Sequence, residues 1–294
     1  YLQNQPDDVV LNVLPLSFDY GLYQLLMSFQ FGGTLVLEKS FAYPAHILKR
    51  IAAEKVTGFP LVPTIAAILL QLDLTPYDFS SLRYLTNTAA ALSPGHITAL
   101  QEKFPQATLF SMYGLTETKR TLYLPPAQLT ERPGRRLRPA EIGERVIRGS
   151  HVMRGYWERP EATAARFRPG CIPGEWLCYS GDLFRVDSEG YFYFISRKDD
   201  IIKSRGEKVA PKEIENVLSA LSGVVETAVI GIPDPVLGEA IKAFVVQKDS
   251  CLTQQDVLRH CRQHLEDFMV PQQIEFIDVL PKSSNGKIAK KELK

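Results

Sequence analysis

The stretch YSGDLFRVDSEGYFYFISRKDDIIKSRGEKVAPKEIE, residues 179–215, runs through three textures whose division decides the fold. FRVDSEGYFYFI is a hairpin signature, with Asp187 to Gly190 as its turn. Residues 196–215 then pack six basic and five acidic side chains into twenty positions. At Pro211 a helix begins, with proline at its first helical position and Ile214, Val217, Leu218 and Leu221 on one face. The charge run therefore joins two segments of different character. It reads either as a solvated or polyanion-binding surface, or as a place where single charges do chemistry.

Outward from the join, both sides have a legible organisation. Downstream, VVETAVIG and IKAFVVQ read as strands, and LTQQDVLRHCRQHL opens with Thr253 and Asp256 at capping-box spacing. Residues 197–294 thus read as a small α+β unit. Upstream, from Val9 to about Phe110, VVLNVLPL and GGTLVLEK read as strands, while YGLYQLLMSF, PAHILKRIAAEK and PTIAAILLQL read as helices. LRYLTNTAAAL is a strand running into a small-residue turn. Strands alternating with helices predict a layered α/β domain with a largely parallel sheet, assigned here to residues 1–196. In such sheets ligands gather at the carboxyl ends of the strands.

Bulk composition narrows the function classes. The chain of 294 residues is 45% hydrophobic and 23% charged, an ordinary globular balance. Its formal net charge of +1 argues against nucleic acid or an anionic membrane as the main partner. The longest apolar run, near Ile65 to Leu72, is a core helix and not a bilayer span. Cys171, Cys178, Cys251 and Cys261 show no CxxC or His-paired spacing, so they read as reduced packing residues of a cytoplasmic protein. The first residue is Tyr1, and a strand-like run follows almost at once, which reads as a fragment of a longer chain.

Four clusters have the residue types for chemistry, and each has a plain alternative. In SMYGLTETKR, residues 111–120, Gly114 permits a sharp turn and Tyr113 offers a flat stacking face. Thr116 adds a hydroxyl, and Glu117 is a hard oxygen ligand of the kind Mg²⁺ takes. The alternative is a capped turn. In YSGDLFR, Asp182 after Gly181 can accept two hydroxyls, as from a ribose; the alternative is a turn aspartate bonding its own backbone. Arg197 follows directly on an apolar strand, with Asp199, Asp200, Lys203, Arg205 and Gly206 behind it. In LPKSSNGKIAKKELK, Lys287 projects from a Ser-Ser-Asn-Gly turn, or belongs to a basic tail.

Taken in order, YGLTE, RGSHVMRGYWERPEATAARF, the 179–215 stretch and PKSSNGKIAKKEL resemble the adenylate-forming superfamily. That group includes acyl-CoA synthetases and the adenylation domains of peptide synthetases. The resemblance implies the C-terminal portion of a large α/β adenylating domain followed by a mobile α+β domain. It implies ATP, Mg²⁺ and a small carboxylic acid as reactants, with CoA or a carrier-protein phosphopantetheine accepting the acyl group. By the same resemblance Tyr113 and Gly114 pack on adenine, Thr116 touches phosphate, and Glu117 holds Mg²⁺. Asp182 and Arg197 take the ribose, Asp199 is the hinge, Gly206 lies beside the thiol tunnel, and Lys287 reaches the reacting carboxylate and phosphate. Thr88 and Ala89, in TNTAAALSP, form a small-residue wall of the acyl pocket. Asp19, in PLSFDYG, either lies in that pocket or caps the helix beginning near Tyr20, and the capping reading leads. The remaining lysines and glutamates of residues 196–215 read as solvated surface.

Two departures from the family pattern stand out. The expected glycine- and serine-rich phosphate loop is absent, its place being upstream of Tyr1, and a strand-forming stretch is missing between Gly134 and Arg135. They leave a rival expectation, a shortened non-catalytic member that only binds nucleotide, acyl-adenylate or a protein. A polyanion-binding reading lacks both basic excess and interleaved aromatics.

Overall fold

In a computed structural model of the chain, residues 1–129, 142–248, 252–283 and 286–293 are described. The Gly134–Arg135 junction and Cys251 lie outside them. The chain divides into two compact units. One comprises Tyr1–Thr116, Arg120–Pro133 and Lys282–Lys287, and the other Glu117–Lys119, Gly134–Pro281 and Ile288–Lys294.

The first unit is built on a six-stranded sheet. Its strands are β1 (Val9–Asn12), β2 (Thr34–Leu37), β3 (Gly58–Leu61), β4 (Tyr84–Asn87), β5 (Thr108–Leu115) and β6 (Lys119–Tyr123), in the order β2-β1-β3-β4-β5-β6. Strands β2 through β5 pair in parallel, as the alternation of strands and helices predicts. Helices α1 (Asp19–Phe31), α2 (Pro44–Ala53), α3 (Pro63–Gln71) and α4 (Pro94–Lys103) connect them. Three of these four open on a proline at the first helical turn, where its missing N–H is no loss. Strand β3, GFPL, is wholly buried, which accounts for its continuous apolar texture. Its Phe59 packs with Leu11, Leu61 and Leu85 and with Ile47 and Ile51 of α2 in the main core. Each such side chain contributes about 1.5–3 kcal/mol on burial. Beneath β1, Asp8 is 2% exposed and bound by Arg83 Nη2 at 2.6 Å and by the Thr57 hydroxyl at 2.8 Å.

The second unit contains two sheets. The first joins β7 (Gly143–Arg148), β8 (Phe167–Pro169), β9 (Trp176–Val186) and β10 (Phe192–Arg197), all antiparallel. The β9–β10 hairpin closes as the sequence predicts: Asp187 Oδ1 accepts from the backbone N–H of Glu189 and Tyr191, and Gly190 takes φ 86°. The second sheet has β11 (Ile202–Ser204), β12 (Glu207–Val209), β13 (Val224–Asp234), β14 (Gly238–Gln247) and β15 (Gln273–Phe276). Helices α5 (Pro160–Arg166), α6 (Pro211–Ser219) and α7 (Gln254–His264) complete the unit. Pro211 does occupy the first turn of α6, and Ile214 and Leu218 are fully buried against Val229, Ile241 and Val257. The Thr253–Asp256 capping box forms at α7.

Three sequence readings need correction. Gly114 lies inside β5, and the chain turns at 116–118 instead. Pairing with β4 ends at Ser111, and β5 continues through the glycine alongside its other neighbour, β6. Asp19 does not cap α1: the helix begins at Asp19 itself, so the cap position falls on Phe18, whose side chain has no acceptor. Glu215 is not solvated surface. It is 7% exposed, accepts the Val229 N–H at 3.1 Å, and pairs with Lys290 Nζ at 2.6 Å.

Candidate active site

In the first unit the candidate residues collect at one edge of the sheet. Thr88 follows the carboxyl end of β4, Thr116 follows that of β5, and Asp19 opens the helix after β1. Because these strands run parallel, their following loops share one edge, which is where open α/β sheets bind ligands. Thr88 is 8% exposed, and Ala89 holds φ 75°, a left-handed conformation unusual for a residue with a Cβ. Tyr113 is half-buried in β5, Thr116 is exposed, and Asp19 is half-buried. Lys287 is exposed, with its ammonium 5.5 Å from the ring centroid of Phe18. Its loop is tied down by Thr64 Oγ1, which donates to the Gly286 carbonyl at 2.7 Å. Lys287 is thereby brought to the PLSFDYG segment.

The second unit holds a denser charged cluster. Antiparallel register sets Arg197 of β10 directly across from Asp182 of β9. The Arg197 Nε lies 3.3 Å from Asp182 Oδ1, with Asp182 4% exposed and Arg197 44%. The pair therefore presents a partly exposed guanidinium beside a sheltered carboxylate. Asp182 lies within β9, and the strand before it is held at Gly181, φ 70°, by Glu144, whose Oε1 accepts the Gly181 N–H at 2.9 Å while Oε2 meets Lys198 Nζ at 3.2 Å.

Glu117 is 12% exposed at its side chain and held from two sides. The Tyr156 hydroxyl donates to Oε1, and Arg166 Nε stands 3.7 Å from the same oxygen. Tyr156 is fixed in turn by its backbone N–H, which donates to Thr163 Oγ1 of α5 at 2.9 Å. Burial first, and the Glu117 carboxylate second, push the Tyr156 hydroxyl up to about 12, so it remains a donor at neutral pH. Burial likewise pushes the neighbouring Cys178 thiol up to about 11, which leaves it an inert packing group.

Arg166 also reaches Gly181. A Cβ there would stand 2.9 Å from Arg166 Nη1 and 3.4 Å from Arg197 Nη2. The two guanidinium groups converge over a residue that has no side chain to obstruct them. Sequence reasoning passed over Arg166, Tyr156 and Glu144 although all three lie in or beside quoted motifs. Their signal is three-dimensional, because each acts on a residue distant in sequence.

Asp199 is exposed in the short turn Lys198–Asp200 between the unit's two sheets. Gly206, φ 81°, follows Arg205, φ 55°, in the two-residue turn joining β11 and β12. Two successive positive φ values define a hairpin turn that favours glycine.

Among the described residues no group of three or more His, Cys, Asp or Glu side chains is placed to hold a metal ion. Glu117 offers one hard carboxylate. That suits Mg²⁺, which commonly takes one or two protein carboxylates and completes its shell with phosphate and water. No helix among the described residues is long and apolar enough to cross a membrane.

Residues 1–157 match the family model described as AMP-binding enzyme, and residues 213–287 match AMP-binding enzyme C-terminal domain. The chain is 34% identical over 310 residues to a long-chain-fatty-acid–CoA ligase of Yersinia pestis, covering 98% of this chain and 53% of that protein. It therefore spans about half the length of the curated relatives it matches. Among solved structures, ATP-bound MatB from Rhodopseudomonas palustris superposes with a TM-score of 0.84 at 29% identity, covering 100% of this chain and 61% of that one. The amide bond synthetase McbA from Marinactinospora thermotolerans gives 0.85 at 29% identity, covering 99% and 63%.

Proposed function

The chain belongs to the AMP-binding enzyme family, and on that premise we propose that it takes part in ATP-dependent activation of a carboxylic acid as acyl-AMP, followed by transfer of the acyl group to a thiol. The observation that carries the reading is the pair of sheltered carboxylates, Asp182 beside Arg197 and Glu117 beside Arg166, flanking Gly181 in one unit. Asp182 accepts the ribose hydroxyls while Arg197 fixes its orientation. Glu117 holds Mg²⁺, which when bound neutralises phosphate charge. Tyr113 and Gly114 bound the adenine, Thr116 donates to phosphate, and Thr88, Ala89 and Asp19 belong to the acyl pocket.

The chemistry explains the cations. A carboxylate attacking a phosphate ester brings two anions together, so the barrier is largely electrostatic and positioned charge lowers it. Lys287 supplies such a charge, and its station over Phe18 supports the role. Asp199 is the pivot between residues 1–196 and 197–294, a reading supported by its place in an exposed turn between two separate sheets. Gly206 flanks the acceptor thiol, either CoA or carrier-protein phosphopantetheine. The cysteines with free thiols, Cys171, Cys178 and Cys261, are in keeping with a cytoplasmic setting. Acid-dependent exchange of labelled pyrophosphate into ATP, screened over fatty, aromatic and amino acids, tests the proposal. Exchange with one acid class supports it, and exchange independent of any acid overturns it.

A further inference from the structure

Arg166 ends α5 with its side chain 23% exposed, and its guanidinium lies between the Glu117 carboxylate and the backbone of Gly181, the residue before Asp182. Its Nε is 3.7 Å from Glu117 Oε1, and its Nη1 is 2.9 Å from the point a Gly181 Cβ would occupy, next to Asp182. A cation in the last turn of a helix answers the helix dipole wherever its side chain points. That alone does not account for a guanidinium threaded past one carboxylate toward the backbone beside another.

We propose that Arg166 is a further catalytic residue, contacting the α-phosphate of the bound nucleotide. The inference rests on the reading of Asp182 as the ribose carboxylate and Glu117 as the metal carboxylate. In a nucleoside triphosphate, the group between the ribose and the metal-bound outer phosphates is the α-phosphate, and Arg166 occupies the matching interval. At 3.7 Å its contact with Glu117 is an ion pair longer than a hydrogen bond, so its N–H donors can serve another acceptor. A planar, permanently charged fork suits phosphate oxygens better than a point charge does. During adenylation the bond from the acid's oxygen to the α-phosphorus forms as the bond to pyrophosphate breaks. Arg166 stabilises the charge on the non-bridging oxygens throughout, with no proton exchanged.

Calorimetric binding of AMP and of adenosine, both without divalent metal, tests this on the wild type and on Arg166→Gln, Arg166→Lys and Asp182→Asn. Arg166→Gln is expected to weaken AMP about tenfold or more while adenosine stays within about twofold. Arg166→Lys, which keeps the charge and is the gentler change to the fold, is expected to lose AMP affinity by a smaller factor, again with adenosine unaltered. Equal effects on AMP and adenosine, or none on AMP, overturn the assignment. Asp182→Asn separates the two readings, since unchanged adenosine affinity in that variant overturns the nucleotide site itself.

Discussion

Replacing Glu215 with alanine removes one side chain and disturbs three partners. The Val229 N–H, in a residue with no exposed surface, loses its acceptor at 3.1 Å. Lys290 Nζ loses a carboxylate at 2.6 Å and keeps the Val229 carbonyl at 3.1 Å, and Lys212 loses a weaker contact at 3.8 Å. Breaking a buried ion pair from one side costs about 3–5 kcal/mol. The Lys290 side chain is 26% exposed and can recruit water, which brings the expected cost to the low end, about 3 kcal/mol. With a urea slope of about 2–3 kcal/mol per molar, the unfolding midpoint should fall by about 1–1.5 M. Lys290→Met should cost less, because it also removes the charge that needs pairing, and the double variant should be more stable than the sum of the single losses implies. A loss below about 0.5 kcal/mol for Glu215→Ala, or strict additivity, would refute the view of Glu215 as an interior anchor for Ile288–Leu293.

Four further outcomes follow from named contacts. Lys287→Ala should slow pyrophosphate exchange about a hundredfold and spare thioester formation from supplied acyl-adenylate; unaffected exchange would exclude Lys287 from adenylation. Burial raises the Asp8 carboxyl, but hydrogen bonds from Arg83, Gln5, Thr57 and Asn4 outweigh it and hold the group below its ordinary range. Its stabilising effect is therefore present above about pH 4 and lost as the pH falls through the depressed folded value, so Asp8→Asn should flatten the acid limb of a pH–stability curve. Gly21→Ala should destabilise by about 3 kcal/mol in thermal or urea unfolding, since its Cβ would stand 2.3 Å from the Pro15 carbonyl oxygen and 2.7 Å from that of Leu14. Tyr156→Phe should raise the Mg²⁺ concentration needed for pyrophosphate exchange about tenfold by releasing Glu117, and alkaline titration of the variant should show one fewer late-ionising tyrosine than the wild type, in which burial raises Tyr1, Tyr20 and Tyr84 as well as Tyr156.

What the sequence made legible was whatever depends on near neighbours along the chain. Pattern along the chain located β1, β2 and β4, the β9–β10 hairpin and the starts of α6 and α7, because turn residues and caps act within a few positions, whereas β3 and β5 were not singled out as strands. Asp182 and Arg197 were singled out one motif at a time, although the ladder register that sets them face to face belongs to the sheet. Gly114 and Asp19 were misread because local propensity was overridden by strand pairing in one case and by a helix start one residue earlier in the other. Glu215, Arg166 and Asp8 stayed hidden for a common reason. A charged residue reads as surface until its partner is known, and Lys290, Glu117 and Arg83 lie far along the chain. The parts of the site that long-range packing assembles are thus the parts that a linear reading leaves out.

The central claim is that the chain's chemistry passes through an acyl-adenylate. It is met most directly by incubating the protein with ATP, Mg²⁺ and a fatty acid, with no thiol present, and analysing the quenched mixture by mass spectrometry. The account predicts acyl-AMP together with pyrophosphate, and neither product from the Asp182→Asn variant at the same nucleotide concentration. Formation of ADP and phosphate, or acyl-AMP at undiminished yield from that variant, would contradict it.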